Sequence, residues 1–316
     1  MVSKLASAST GDTLSWTGDV AYAPAKYPSP FYIKSLSPKA KGDEDKISSA
    51  VTKLLEEDLT LKYEVNRETS QMLLSGLGGT HLDITLAKMK ARYGVEVVLG
   101  EKKIAYRETI RKSAKVEGKH KKQSGGHGQY GHCIIEMTPQ EPGAGYAFEN
   151  KIVGGVIPKE FIAPIDAGIR EAAQSGILGG FEVVDFKASV FDGSYHDVDS
   201  SEMAFKIAGS MAFKEALQKA DPALLEPMMK VEVIIPEQYM GDVIGDISSR
   251  RGRIEGMEAR MGEQTVHSFV PLSEMFGYAT DLRSRTQGRG LFTMQFDHYE
   301  EVPKAIAEKV TGARKG

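Results

Sequence analysis

The sequence predicts an α+β chain, on three observations. The order strand, helix, strand, strand, helix, strand is written twice, over residues 30–104 and 227–300. The stretch between them, 105–226, differs from both: it opens with basic strands, turns on a glycine-rich loop and closes on a long amphipathic helix. Hydrophobic residues make up 41% and charged residues 26%, the composition of a globular chain with a core to bury.

Residues 1–29 hold a Thr-Gly-Asp turn, the only tryptophan (Trp16) and prolines at 24 and 28. They are too few to bury a core of their own and are expected to be the remnant of a domain lying upstream. In 30–104, Phe31–Leu36 reads as a strand and Asp43–Glu57 as a helix with Ile47, Val51, Leu54 and Leu55 on one face. Leu59, Leu61, Tyr63 and Val65 alternate as in a half-buried strand. Gln71–Leu74 is a further strand, His81–Tyr93 a helix stopped by Gly94, and Val95–Leu99 the last strand.

The second copy runs through a strand at Lys230–Ile235, a helix at Glu237–Arg251 stopped by Gly252, strands at Arg253–Met257 and Thr265–Val270, a helix at Ser273–Arg283 and a strand at Leu291–Phe296. Both copies have the order of the ferredoxin-like split βαβ motif. A final helix, Val302–Thr311, is expected to pack back on the chain.

In the middle domain, strand His132–Met137 follows the glycine-rich loop, a helix starts near Pro158 and stops at Gly176, and strand Phe181–Val190 leads into FDGSYHDVDSSEM. Asp199 and Glu202 have the spacing of a helix N-cap and its N3 partner. The helix beyond is expected to bury Met203, Ile207, Met211 and Leu217. The loop before it presents Ser194, Tyr195, His196 and Asp197 on a rigid support, where functional side chains concentrate. An ordinary capped connection with a solvated histidine accounts for the same residues.

Gly126-His127-Gly128-Gln129-Tyr130-Gly131 matches G-x-G-x-x-G, but its approach is GKHKKQS and its exit a strand, so the dinucleotide context fails. A hairpin tip remains, Gln123, Ser124, Gly125, Gly126, His127, Gly128, Gln129 and Tyr130. Its glutamine, tyrosine and neighbouring lysines suit RNA, where phosphate, 2′-OH and stacking contacts dominate; a plain glycine hairpin is the other reading. Arg250, Arg251 and Arg253, with Arg283, Arg285 and Arg289, either complement helix C-termini or form a phosphate-binding surface. His127, His132 and Cys133 lack a second ligand cluster with metal spacing. No phosphate-binding G-x-x-x-x-G-K-[ST], H-E-x-x-H or G-x-S-x-G is present, so no catalytic residue is assigned and the chain reads as a non-enzyme. With a net charge of −3, nucleic-acid contact must come from local basic patches. The single Cys133, the lack of an apolar run near 20 residues and an N-terminus without a signal core point to a cytoplasmic chain with no membrane partner.

Long segments now carry a family resemblance. VGGVIPKEFI, GILGGFEVVDFKASVFDGSYHDVDSSEMAFKIAGSMAFKEA, YMGDVIGDISSRRGRIEGME, FVPLSEMFGYATDLRSRTQGRG, YRETI and GQYGH closely resemble the C-terminal half of bacterial translation elongation factor G, from about residue 30 to the end. The resemblance implies the tail of β-barrel domain II at 1–29, domain III at 30–104, domain IV at 105–226, domain V at 227–300 and a C-terminal helix at 301–316 packing on domain IV. Domain IV would be a ribosomal-protein-S5-domain-2-like α+β domain between two ferredoxin-like ones.

It further implies that the loops matching Gln123–Gly131 and Ser194–Asp197 form the tip that enters the small-subunit decoding site. His196 matches the position modified to diphthamide in the eukaryotic and archaeal counterpart and is expected to be plain histidine in bacteria. Arg250, Arg251, Arg253, Arg283 and Arg285 would face large-subunit ribosomal RNA. GTP and Mg would belong to an absent N-terminal domain, so the chain needs no cofactor and no metal and is expected to be a fragment. The partners implied are both ribosomal subunits, the tRNA–mRNA duplex and ribosomal RNA, met by a monomer.

The expected function is tRNA–mRNA translocation by the parent GTPase. A paralogue acting in ribosome recycling or protection, and a stand-alone RNA-binding protein, are the alternatives. Where the family usually reads GMGELH this chain has Gly76-Leu77-Gly78-Gly79-Thr80-His81, and His127 stands where it often has Arg; both departures point toward a divergent lineage or a paralogue.

Overall fold

The computed structural model describes the chain except residues 1–7, 19, 24, 41, 67–68, 124–127, 261 and 313–316. By its internal contacts the chain divides into two compact units, 1–104 with 276–290, and 105–275 with 291–316.

The first unit contains β1 (Tyr32–Pro38), α1 (Glu44–Glu57), β2 (Lys62–Asn66), β3 (Gln71–Gly76), α2 (Gly79–Tyr93) and β4 (Val97–Gly100). Its sheet has the order β2-β3-β1-β4 with every pair antiparallel, so the expected βαββαβ connectivity is present. Helix α1 buries Ile47, Ala50, Val51 and Leu54, an i, i+3, i+4, i+7 stripe, against Leu36, Leu61 and Leu74. Glu44 and Asp45 in its first turn suit the positive end of the helix dipole. Helix α2 stops at Gly94, which takes φ 65° and returns its amide to Lys90. The alternation expected around β2 holds only in the middle: Leu61 is buried, but Leu59 and Val65 at its margins are exposed. Ahead of β1, the described residues of 8–31 form no helix or strand.

The second unit begins with β5 (Arg107–Ile110), β6 (Ala114–Lys122), β7 (Gln129–Pro139), β8 (Tyr146–Asn150), α3 (Ile162–Ala173), β9 (Phe186–Ser194) and α4 (Glu202–Lys219). Strands β6-β7-β9-β8 form one sheet, antiparallel except for the parallel β8–β9 pair. Pro158 precedes a 3-10 turn, Lys159–Phe161, rather than starting the helix itself. Strand β9 begins five residues later than expected, because Asp185 takes φ 58° and breaks the extended path, and it runs on to Ser194.

Helix α4 turns a different face inward from the one its large side chains suggest. Met203 and Met211 are exposed, Ile207 is half-buried, and the buried face is Ala204, Phe205, Ala208, Gly209, Ala212, Phe213, Ala216 and Leu217. The reason is close approach. A methyl group built on Gly118 of β6 would strike the Ala208 carbonyl, and one on Gly131 of β7 the Ala204 carbonyl. Small residues on both surfaces bring helix and sheet backbones together, while Phe205 and Phe213 fill the remaining core beside Phe161 and Phe186. Full burial of each ring is worth about 1.5–3 kcal/mol. Cys133 lies in this core, fully buried, its thiol pushed up to about 12 by desolvation.

The unit continues with β10 (Pro222–Pro236), α5 (Met240–Ser249), β11 (Arg253–Arg260) and β12 (Glu263–Pro271); α6 (Tyr278–Arg285) belongs to the first unit, and β13 (Leu291–Glu301) and α7 (Lys304–Gly312) close the second. The sheet order β11-β12-β10-β13 again fits the split βαβ motif. The single helix expected at Ser273–Arg283 is a 3-10 turn, Leu272–Glu274, and α6, interrupted at Gly277 with φ 76°. Strand β10 is far longer than Lys230–Ile235. Its first residues pair with β5 and its later ones with β12 and β13, so one continuous strand serves the middle and C-terminal domains.

Candidate functional site

The two sequence-predicted loops meet at one end of the β6-β7-β9 sheet. Lys122 and Gln129 face each other as the last pair of the β6–β7 hairpin. Of the hairpin loop, Ser124, Gly125, Gly126 and His127 lie outside the described residues; Gln123 is exposed and Gly128 half-buried. Ser194 is the last residue of β9, and Tyr195, His196 and Asp197 stand exposed beyond it.

A small set of bonds locks these loops. The Gly128 amide donates to Asp199 Oδ1 at 2.9 Å, and the Tyr130 amide donates to the Asp199 carbonyl at 2.7 Å. A side chain at 128 would push the Asp199 carboxylate away, since its Cβ would sit 2.8 Å from Asp199 Oδ2. Asp199 is therefore not the helix cap. Ser201 takes that role, its Oγ accepting from the Ala204 amide at 3.2 Å, and Glu202 is the first helical residue. Both residue types cap well, and the Gly128 amide of a distant loop takes the Asp199 side chain.

Behind the loops, Ser194 Oγ is shared by Tyr130 Oη and His132 Nδ1, each 2.7 Å away. His132 Nε2 lies 3.0 Å from Glu117 Oε1, too poorly aligned for a hydrogen bond. This Tyr-Ser-His group ties β7 to β9 at the base of the tip. His196 is held by its backbone: its amide donates to Ser200 Oγ at 2.9 Å, and its carbonyl accepts from the Ser200 amide at 3.0 Å. The ring is 58% exposed; its Nδ1 accepts from the Val198 amide at 3.4 Å, with Asp199 Oδ2 at 3.7 Å and the Tyr130 ring centroid at 6.4 Å. The tip thus presents an imidazole, a phenol, a carboxylate and a carboxamide to solvent from a braced backbone. Gly131, the last glycine of the G-x-G-x-x-G string, serves the α4 contact, and that accounts for its presence without a phosphate.

The predicted arginines are used differently. Arg250 ends α5, its Nε donating to Asp246 at 2.9 Å and Nη1 to the Glu274 carbonyl at 2.6 Å. Arg251 grips Glu226 with two nitrogens at 2.6 and 2.9 Å and reaches Glu274 at 3.0 Å. Arg251 rather than Gly252 takes the left-handed turn, at φ 59°; Gly252 is needed because a Cβ there would crowd the Ile247 carbonyl. The acid partners Glu226 and Glu274 carry no local sequence signal, whereas Asp246, four residues before Arg250, has the i, i+4 spacing that could have revealed it. Arg253 is exposed between Glu255 and Glu300. Arg283 and Arg285 are exposed on α6 in the other unit, where the Arg283 guanidinium lies 4.2 Å from the centroid of the Phe31 ring. Among the described residues no His, Cys, Asp or Glu group is placed to hold a metal, and no helix is long and apolar enough to cross a membrane.

Comparison with known proteins now assigns the class. Family models match in chain order: Elongation Factor G, domain III over residues 27–101; Elongation factor G, domain IV over 102–221; and Elongation factor G C-terminus over 223–310. A crystal structure of a protein from Thermus thermophilus superposes with a TM-score of 0.82 at 44% identity, covering 96% of this chain and 45% of that one. The chain therefore spans less than half the length of that protein. These matches define a member of the translational GTPases, represented here by domains other than the GTPase itself. The chain belongs to the elongation factor G family.

Proposed function

We propose that this chain is the ribosome-binding C-terminal module of a translational GTPase, and that its middle domain promotes movement of the tRNA–mRNA duplex. The supporting observation is the braced tip. The Gly128–Asp199 bond and the shared Ser194 hydroxyl hold two loops together, while Gln129, Tyr195, His196 and Asp197 remain exposed. Groups so placed serve hydrogen bonding, stacking and exclusion of volume, the means by which folded RNA is recognised. No bond is broken there: the tip occupies space vacated by the moving duplex and blocks its return. GTP and Mg are assigned to an N-terminal domain of the parent, with none bound by this chain.

For the C-terminal domain, ribosomal RNA contact is assigned by exposure to Arg283 and Arg285, and to Arg253, which is exposed although it bonds Glu255 and Glu300. Arg250 and Arg251 are committed to carboxylates of their own unit.

The test is His196→Ala in the full-length factor, read by single-turnover translocation and by GTP turnover. Translocation is expected to slow by about tenfold, equivalent to about 1.4 kcal/mol, with GTP turnover near normal. An unchanged translocation rate removes the role assigned to the tip. A defect confined to subunit splitting would assign the parent to ribosome recycling.

A further inference from the structure

Three lysines of β6 lie outside the two loops and have no acidic partner. Lys119, Lys121 and Lys122 are exposed, and among the described residues no carboxylate lies within ion-pair distance of any of them. Many other cations of the same unit are matched: Lys112 with Asp221, Lys151 and Lys187 with Glu149, Lys206 with Glu171, Lys219 with Glu215 and Arg170 with Asp166.

The geometry places Lys119 and Lys121 on the open face of the sheet, and Lys122, in phase with Gly118, is exposed at the strand's end. Gly118 and Gly131 close the opposite face against α4. Lys119 and Lys121 alternate with the buried Gly118 and so project outward; Lys122 ends the strand. Across the antiparallel pair Lys119 faces His132, Lys121 faces Tyr130 and Lys122 faces Gln129. The acids of this face sit farther from the tip: Glu117 lies against His132, Glu136 is paired in register with Lys115, and Asp192 accepts from the Gly193 amide.

β6 is an edge strand, and charge on an edge guards against strand addition. That purpose is served by either sign, and it does not account for a run of one sign set opposite an imidazole, a phenol and a carboxamide. Of these, the Tyr130 ring and the exposed Gln129 are of the kinds that stack on bases and bond to 2′-hydroxyls, while His132 is 15% exposed and bonded to Ser194. Lys119 and Lys121 are about 7 Å apart along the strand, so they engage separate phosphates.

We propose that Lys119, Lys121 and Lys122, with Tyr130 beside them, form a docking surface for the sugar–phosphate backbone of RNA, continuous with the tip but distinct from its loops. The assignment rests on the RNA-facing role of the tip proposed above. It adds that part of the affinity is a salt-dependent backbone contact made by β6.

The experiment titrates a fluorescein-labelled RNA hairpin with the full chain across a potassium chloride series. Neutralising phosphates releases counterions, so the slope of log affinity against log salt counts the contacts, at about 0.9 per phosphate on a duplex. Lys119→Gln/Lys121→Gln/Lys122→Gln is expected to flatten the slope by about 2–3. A control with the same change in charge at paired lysines, Lys151→Gln/Lys187→Gln/Lys219→Gln, is expected to leave it nearly unchanged. All six side chains are solvent-facing, and an unaltered urea midpoint checks that each variant folds.

An unchanged slope in the β6 variant, an equal flattening in both, or no hairpin binding by the parent chain at low salt overturns the proposal. None of these outcomes touches the translocation effect of His196→Ala, so the two readings fail separately.

Discussion

Two polar clusters in the same unit use charge in opposite ways. At the tip, His196, Asp197 and Tyr195 face solvent, and His196 is positioned by hydrogen bonds of its backbone to Ser200. Around Glu226, whose side chain is 3% exposed, Arg251 supplies two hydrogen bonds, and Ser273 stands beside the same carboxylate. The first cluster leaves its side chains exposed to solvent. The second consumes its groups internally, at a point on β10 between the residues paired with β5 and those paired with β12. Charge in a sequence therefore reads as a binding signal only after burial and partners are known.

The largest effect that would break this contrast is at Arg251. Arg251→Ala strands a buried carboxylate, which costs about 3–5 kcal/mol when a buried pair loses one partner; with Arg251 itself one-quarter exposed, about 3 kcal/mol is expected. Urea unfolding checks it. Glu226→Gln combined with Arg251→Ala should recover part of the loss, because the stranded charge is gone. A cost below about 1 kcal/mol for the single variant would show that water, not Arg251, satisfies Glu226.

A smaller effect sharpens the tip side. Asp199→Ala removes the acceptor of the Gly128 amide at a half-exposed site, so the loss is about 1 kcal/mol. Asp199→Asn keeps an oxygen there and should restore it. The readout is hydrogen exchange at Gly128, expected to rise about fivefold in the alanine variant alone, with little change in the urea midpoint. Equal exchange in both variants would mean that the two loops are not joined through this side chain.

The contrast also explains what was legible in the sequence. Both βαββαβ repeats follow from alternation, helical periodicity and stop signals, all of them local. The place of Tyr195, His196 and Asp197 on an exposed loop was legible too, since a polar run before a capped helix has nowhere to bury. The inward face of α4 was not. Its methionines outweigh alanines in any hydrophobic reading, while the deciding fact is that Gly118 and Gly131 let a small-residue face come closer. The cap was misassigned for a similar reason: Asp199 answers to Gly128, seventy-one residues away in the chain. Strand β10 was cut short because Glu226-Pro227 reads as a boundary, whereas Glu226 is buried by a partner 25 residues downstream. Long-range partners account for each of these misses.

The smallest effect concerns a histidine away from the tip. His196 has one carboxylate at 3.7 Å, whereas His298 on β13 has two much closer, with Asp297 Oδ2 2.6 Å from Nδ1 and Glu300 Oε1 2.7 Å from Nε2; Arg253 shares Glu300 at 3.3 Å, and the Phe269 ring packs edge-on. Burial works against the His298 cation, but the bonds to Glu300 and Asp297 outweigh it and raise its pKa. A raised histidine stabilises the fold below its unfolded value, about 6.5, and the contribution disappears as pH rises through the higher folded value. The pair is one-third exposed and solvent-screened, so the effect should stay below about 1 kcal/mol. The urea midpoint of the parent minus that of His298→Gln is expected to shrink between about pH 6 and pH 8. A difference that grew with pH at His298 would mean that burial, not its two carboxylates, governs the ring.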